Sequence, residues 1–415
     1  MSQPEIIDNR TSYTFKWKDE QLQVVVTRLH EHRDGHISCE LDWTTTNPQY
    51  HTHLLRTSFN LSSSLTKSNL IKQLAEAYKE KVDWNATVEQ LRVITVDRMR
   101  AGEPIQELWT DDKIAPPEYK LYPILPEGEP TMLYADGGSG KTYVSLYIAM
   151  CIQLPWIENP LRFKPKFGKV LVLDYEAGGN TATLRLKRIK MGHDLPEFMV
   201  EYRRCEIPLE KEVDRIVSYI KEREIDTVII DSVFGASAGG LNDDGVAKGF
   251  FQAVRGLPTT TLILHHVAKG IKKTDDKTAY GSAFFKNAVR MSWELISESG
   301  KGEPTLKLGL FNRKSNNARL HNPIGIEIEF DDPYGAVSFH PYDVEGDGSE
   351  VIQQSLPLGK RIINALKHGP MITSDIAKEV GSSYHQVAAR LNEMKKANKA
   401  LRLPDSRWGL ISDSQ

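Results

Sequence analysis

Eight consecutive residues, Ala135-Asp-Gly-Gly-Ser-Gly-Lys-Thr142, combine three glycines with a lysine and a hydroxyl. That combination suits a polyphosphate. Gly137, Gly138 and Gly140 let the backbone curl until successive N–H groups point at phosphate oxygens. Lys141 reaches the β- and γ-phosphates, and Thr142 offers its hydroxyl to Mg²⁺. Asp136 and Ser139 complete the loop, and Tyr143 is the next residue of the helix that it opens. Ala135 stands where the usual pattern has glycine. ATP and Mg²⁺ are the cofactors this loop calls for.

A bound Mg²⁺ needs an acid on a neighbouring strand. Thr227-Val-Ile-Ile-Asp231 is an apolar run ending in a carboxylate about 90 residues after the loop, so Asp231 is the expected metal-side acid. A hydrolase also needs a carboxylate to orient and deprotonate water. Ser232 follows Asp231, so the base is not its immediate neighbour. Val170-Leu-Val-Leu-Asp-Tyr-Glu176 instead ends in Asp174 and Glu176, and Glu176 is the expected base.

These marks, together with Leu262-Ile-Leu-His-His266-Val-Ala-Lys, resemble the RecA-like ATPase core over about residues 121–330. The branch holds KaiC- and RadA-type proteins, replicative hexameric helicases and RepA-type plasmid helicases. The resemblance implies that His266 senses the γ-phosphate. It also implies that Arg313 or Lys314 enters the neighbouring subunit's site as a finger, with a hexameric ring as the natural closed form of a homo-oligomer. Two loops would face the ring channel, Phe234–Gly245 and the segment carrying Lys269, Lys272, Lys273 and Lys277. Lysines on such a loop suit the phosphate backbone of single-stranded more than duplex DNA.

The elements that must hold these residues follow from the chain's patterning. Strand-like runs at Thr131–Ala135, Val170–Asp174, Thr227–Asp231 and Thr260–His265 are apolar along most of their length and do not alternate, as strands buried on both faces should be. Helical stretches begin near Gly140, Thr181, Leu209 and Gly245. This alternation predicts an α/β domain over 131–342, a doubly wound parallel sheet carrying antiparallel edge strands at Arg290–Ile296, Thr305–Phe311, Ile324–Phe330 and Ala336–His340. Residues 1–102 read as a small α+β module. Its histidines (His30, His32, His36, His51 and His53) match no metal-ligand spacing and are read as packed or solvated. The proline-dense stretch 103–130 reads as a linker or a wrap onto the next domain, and 343–356 as a second linker.

Residues 357–415 carry ten Lys/Arg and five Asp/Glu, a local charge of +5 in a chain of 415 residues whose formal charge is −2. Three helices and a terminal hairpin here resemble a winged helix. Tyr384, Gln386 and Arg390, with Ser382, Ser383 and His385, would then lie toward a DNA groove. The composition, 40% hydrophobic and 26% charged, excludes a disordered tail, a fibre or a disulfide-stapled mini-protein. No apolar run is long enough to span a membrane. Three scattered cysteines and a polar N-terminus fit a cytoplasmic protein. The expectation is an Mg²⁺-dependent ATPase acting on DNA as an oligomeric helicase or translocase in replication or recombination, including that of a mobile element. The alternatives are an ATP-switched DNA-binding regulator, or a recombinase-like loader that binds single strands without unwinding.

Overall fold

The computed structural model describes residues 3–8, 12–32, 34–102, 105, 116–267, 283–298, 303–316, 318–331 and 335–411. The chain divides into two compact units, residues 1–116 with 211–223, and residues 117–210 with 224–415.

In the first unit an antiparallel sheet runs in sequence order: β1 (Glu5–Asp8), β2 (Tyr13–Trp17), β3 (Leu22–Glu31), β4 (Ile37–Thr45) and β5 (His53–Asn60). Burial along β4 alternates residue by residue, so one face is core. Trp17 and Trp43 stack there at 5.8 Å between ring centroids. Helices α1 (Ser64–Ala77) and α2 (Trp84–Ala101) add Leu70, Leu74, Val88 and Leu91 to the same core. Ser63 and Asp83 cap them by accepting the N–H of Thr66 and Ala86. The rings of His32 and His36 stack at 3.9 Å, and His32 Nε2 lies 2.8 Å from Ser38 Oγ. Among the described residues no three His, Cys, Asp or Glu side chains have metal-site geometry.

The second unit opens with β6 (Tyr119–Tyr122) and β7 (Leu125–Pro126). Leu121, Ile124 and Leu125 are buried in the main core, so the end of the proline-dense stretch is a wrap, not a tether. Then follow β8 (Thr131–Ala135), α3 (Lys141–Gln153), β9 (Lys164–Pro165), β10 (Lys169–Asp174), α4 (Gly179–Gly192), β11 (Glu201–Arg204), α5 (Leu209–Arg223), which belongs to the first unit from Lys211 on, and then β12 (Ile225–Asp231), α6 (Val233–Ala236), α7 (Asp244–Gly256), β13 (Thr260–His266), α8 (Ala283–Ala288), β14 (Met291–Ser297), β15 (Thr305–Ser315), β16 (Ile324–Phe330) and β17 (Val337–Tyr342). Nine of these strands form one sheet in the order β11-β10-β12-β13-β8-β14-β15-β16-β17. The first six are parallel and the last three add on antiparallel, so β14, expected at Arg290–Ile296 as an antiparallel edge strand, instead pairs parallel with β8 and only its β15 side is antiparallel. This is the mixed, parallel-dominated α/β sheet that the strand–helix alternation predicts. The sequence pattern does not announce β11. Its residues, Glu-Tyr-Arg-Arg, are polar because it is an edge strand.

Residues 343–356 are not a free linker. Val344, Ile352 on α9 (Glu350–Gln354) and Leu356 bury against Phe311. Beyond them α10 (Leu358–Lys367), α11 (Thr373–Glu379), α12 (Tyr384–Lys396) and the hairpin β18 (Ala400–Arg402)–β19 (Trp408–Leu410) share their own core of Ile362, Ile376, Leu391 and Trp408. No helix among the described residues is long and apolar enough to cross a membrane.

Candidate nucleotide site

The glycine-rich loop leaves the carboxyl end of β8 and enters α3, at the edge where ligands collect in open α/β sheets. Gly138 and Gly140 have φ of +75° and +82°, the left-handed region that favours glycine. Gly140 is also close-packed, since a Cβ there would lie 3.2 Å from Leu306 Cδ2. Ser139 Oγ donates to the Asp136 carbonyl at 2.6 Å and pins the loop's first turn.

Lys141 is buried, and its Nζ donates to the carbonyls of Ala135 (3.0 Å) and Asp136 (2.8 Å). Burial pulls its pKa below the ordinary lysine value, against the pull of Glu176, Asp231 and Asp136. Its partners are neutral carbonyls, and phosphate oxygens would offer it stronger, charge-assisted bonds. Thr142 Oγ1 donates to Asp231 Oδ2 at 3.0 Å. Asp231 is 7% exposed, and burial followed by the charge of Glu176 pushes its pKa up to about 6. A hydroxyl and a carboxylate this close, both hard oxygen donors, fit Mg²⁺, which takes few protein ligands and keeps several waters.

Glu176 Oε1 accepts from the Ser232 hydroxyl and from His266 Nε2, the latter at 3.1 Å. The His266 hydrogen bond comes first among the causes that hold the Glu176 pKa down to about 2, with burial opposing. His266 Nδ1 lies 3.5 Å from Lys141 Nζ. An ammonium only donates, so Nδ1 accepts and Nε2 carries the proton toward Glu176. Lys141, His266 and Glu176 thus form one chain across the ends of β8, β13 and β10. His265, beside it, is fully buried, its ring centroid 5.2 Å from that of Phe285.

Asp136 through Tyr143, Glu176, Asp231 and His266 are therefore brought together. Tyr143 packs edge-on to Phe330 at 5.3 Å, and the Arg185 guanidinium sits 5.4 Å from the Tyr143 ring centroid. Arg313 and Lys314 are engaged within their own chain. Arg313 Nε donates at 2.8 Å to the buried carboxylate of Glu294, and Lys314 Nζ donates at 2.8 Å to the Asn287 carbonyl. Lys269, Lys272, Lys273 and Lys277 lie outside the described residues. Tyr384, Gln386 and Arg390 are exposed on the first two turns of α12. Gln386 Oε1 accepts from Ser382 and Ser383, and Arg390 pairs with Glu393 at 2.6 Å.

Residues 95–271 match the AAA domain family. The matched segment is less than half of the chain; its similarity to AAA domains supports a phosphate-loop ATPase. No curated protein matches the sequence significantly. Among solved structures, a KaiC-like protein from the archaeon Pyrococcus horikoshii aligns at 14% identity and a TM-score of 0.37, covering 52% of this chain and 91% of that one. A likeness of that degree decides nothing about fold or function.

Sequence reasoning missed two partners of these residues. Ser232 was visible as the residue after Asp231, but its hydroxyl turns toward Glu176 only because β12 lies beside β10. Tyr202, on the unannounced β11, donates to Asp174 Oδ2 at 3.0 Å. A lone tyrosine between Glu201 and Arg203 carries no signal in the sequence.

Proposed function

We propose that the protein is an Mg²⁺-dependent ATPase that works on DNA as an oligomeric helicase or translocase in replication or recombination. The observation that carries the catalytic half is the chain Lys141–His266–Glu176 set across from the Thr142–Asp231 pair. In this reading the loop amides and Lys141 bind the β- and γ-phosphates, and Thr142 and Asp231 would hold Mg²⁺, which would supply charge neutralisation at the phosphate oxygens. Glu176 orients a water in line with the γ-phosphorus and accepts its proton. His266 touches both Lys141 and Glu176, so a γ-phosphate arriving at Lys141 bears directly on the base. Arg185, Phe330 and Tyr143 offer an aromatic and cationic cluster beside the loop for the base of the nucleotide.

The DNA half rests on charge. Residues 357–415 carry +5, and α12 presents Tyr384, Gln386 and Arg390 to solvent. The same observation favours a second reading, an ATP-switched regulator in which this module reads duplex DNA and turnover is slow.

One experiment separates them: steady-state ATPase rate with no nucleic acid, with single-stranded DNA and with duplex DNA, using Lys141→Ala as the blank. Tenfold or greater stimulation by single strands supports the motor. Basal turnover unmoved by single strands, with tight duplex binding, supports the regulator. Wild-type turnover no greater than that of Lys141→Ala would remove the enzyme assignment altogether.

A further inference from the structure

Asp174 is an acid that the phosphate chemistry leaves unused, and it is almost completely buried at 4% exposure. A carboxylate in such a place is costly unless each oxygen finds donors. Its Oδ1 accepts the backbone N–H groups of Glu176 and Ala177, both at 2.8 Å. Its Oδ2 accepts the phenol of Tyr202. Two of the three donors are thus amides of the three-residue turn that carries Glu176. The third is a side chain on β11, whose only partner in the sheet among the described residues is β10.

The surroundings tie the same turn from both sides. Tyr175 N–H donates to the Asp231 carbonyl at 2.6 Å, and Cys205 N–H to the Asp174 carbonyl at 2.8 Å. The Tyr202 ring lies against the start of α4, where a Cβ on Gly179 would come within 3.2 Å of Tyr202 Cε1. The phenol is therefore fixed by its ring, and the carboxylate by the phenol. We propose that Asp174 and Tyr202 form a positioning clamp that sets the direction of the Glu176 side chain toward its water. Neither touches the reacting atoms, and both act through Glu176. A displacement of about 1 Å at a base can cost about a hundredfold in rate, so a clamp of this kind is selected through turnover and not through nucleotide affinity.

The inference rests on the reading of Glu176 as base, and its test keeps the two separable. In the full-length protein with Mg²⁺ and ATP, Tyr202→Phe removes one hydroxyl and leaves the ring packed. We expect kcat to fall about tenfold while the Kd for a non-hydrolysable ATP analogue changes less than twofold. Asp174→Ala should fall further, and Asp174→Asn, which keeps an oxygen for the two amides, should recover part of the loss. The deciding comparison is Tyr202→Phe placed in a Glu176→Gln background, followed by single-turnover phosphate release. If Tyr202 acts through Glu176, the double variant loses nothing beyond Glu176→Gln alone. Unchanged kcat in Tyr202→Phe would overturn the clamp. So would a loss that recurs in full in the double variant, or a parallel rise in Kd, because each marks a merely structural role. Wild-type turnover by Glu176→Gln would instead overturn the base assignment, and the clamp with it.

Discussion

Asp231 and Glu176 show how neighbouring carboxylates are driven apart by surroundings. Asp231, buried and facing the charge of Glu176, is raised to about 6, whereas Glu176, bonded to His266 and Ser232, is lowered to about 2. The sign for stability follows from linkage. A carboxyl raised in the fold contributes stability that is complete below its unfolded value near 3.8 and is lost as pH rises through 6. The nucleotide-free protein should therefore lose this contribution between pH 4 and 7. Magnesium and ATP need the ionised Asp231, so they should restore stability most above pH 6 and bind more weakly below it. Melting temperature against pH, with and without MgATP, checks this. Asp231→Asn should flatten the acidic weakening, and an Asp231→Asn profile matching wild type would place the titrating group elsewhere. Glu176 works in the opposite sense, its contribution being present above 4.5 and lost as pH falls toward 2, so it opposes the Asp231 effect near pH 4 and leaves the upper part of the window to Asp231. Asp231 and Glu176 were both legible as strand-end acids. Their unequal environments were not, because Ser232 and His266 reach Glu176 from other strands.

Elements were legible in proportion to burial on both faces. The strands β8, β10, β12 and β13 are apolar and buried along most of their length and fall where the sequence predicts them. The strand β11 and the packed stretch 343–356 are polar at most positions, and their few apolar contacts depend on partners distant in sequence, such as Phe311 for Ile352. The junction of α4 with β17 is of the same kind. Ser338 Oγ donates to the Gly192 carbonyl at 3.1 Å, and Phe339 N–H donates to His193 Nε2 at 2.9 Å. Burial lowers the His193 pKa to about 4, which keeps it the neutral acceptor this bond needs. A Cβ on Gly192 would sit 2.2 Å from the Val337 carbonyl oxygen, a backbone atom unable to turn aside. Gly192→Ala should therefore prise α4 from β17 and cost about 2 kcal/mol, seen as a lower urea midpoint with an unchanged slope. An unchanged midpoint would mean that the two elements separate at no cost.

At the scale of the whole molecule, the open question is which residue completes a neighbour's site in the proposed oligomer. Arg313 and Lys314 are equivalent in the sequence, but their surroundings differ. Arg313 would have to leave a 2.8 Å ion pair with a Glu294 side chain only 5% exposed, and abandon the Phe311 ring that lies 4.8 Å from its guanidinium. Stripping the guanidinium from a carboxylate so deeply placed costs on the order of 3 kcal/mol. Lys314 Nζ donates to the Asn287 carbonyl at 2.8 Å. These contacts read Arg313 as a brace for β14, which leaves Lys314 as the candidate finger of the proposed oligomer. Lys314→Ala should then lower kcat by on the order of a thousandfold with the fold intact, and Arg313→Ala should chiefly lower the melting temperature. Complementation decides it. Lys314→Ala subunits keep a working loop and Lys141→Ala subunits keep a working finger, so mixing two inactive proteins should regain activity if the finger acts in trans. Arg313→Ala mixed with Lys141→Ala should regain nothing beyond the sum of the parts. Recovery in the Arg313 mixture alone would reverse the assignment, and recovery in neither would place the whole reaction within one chain.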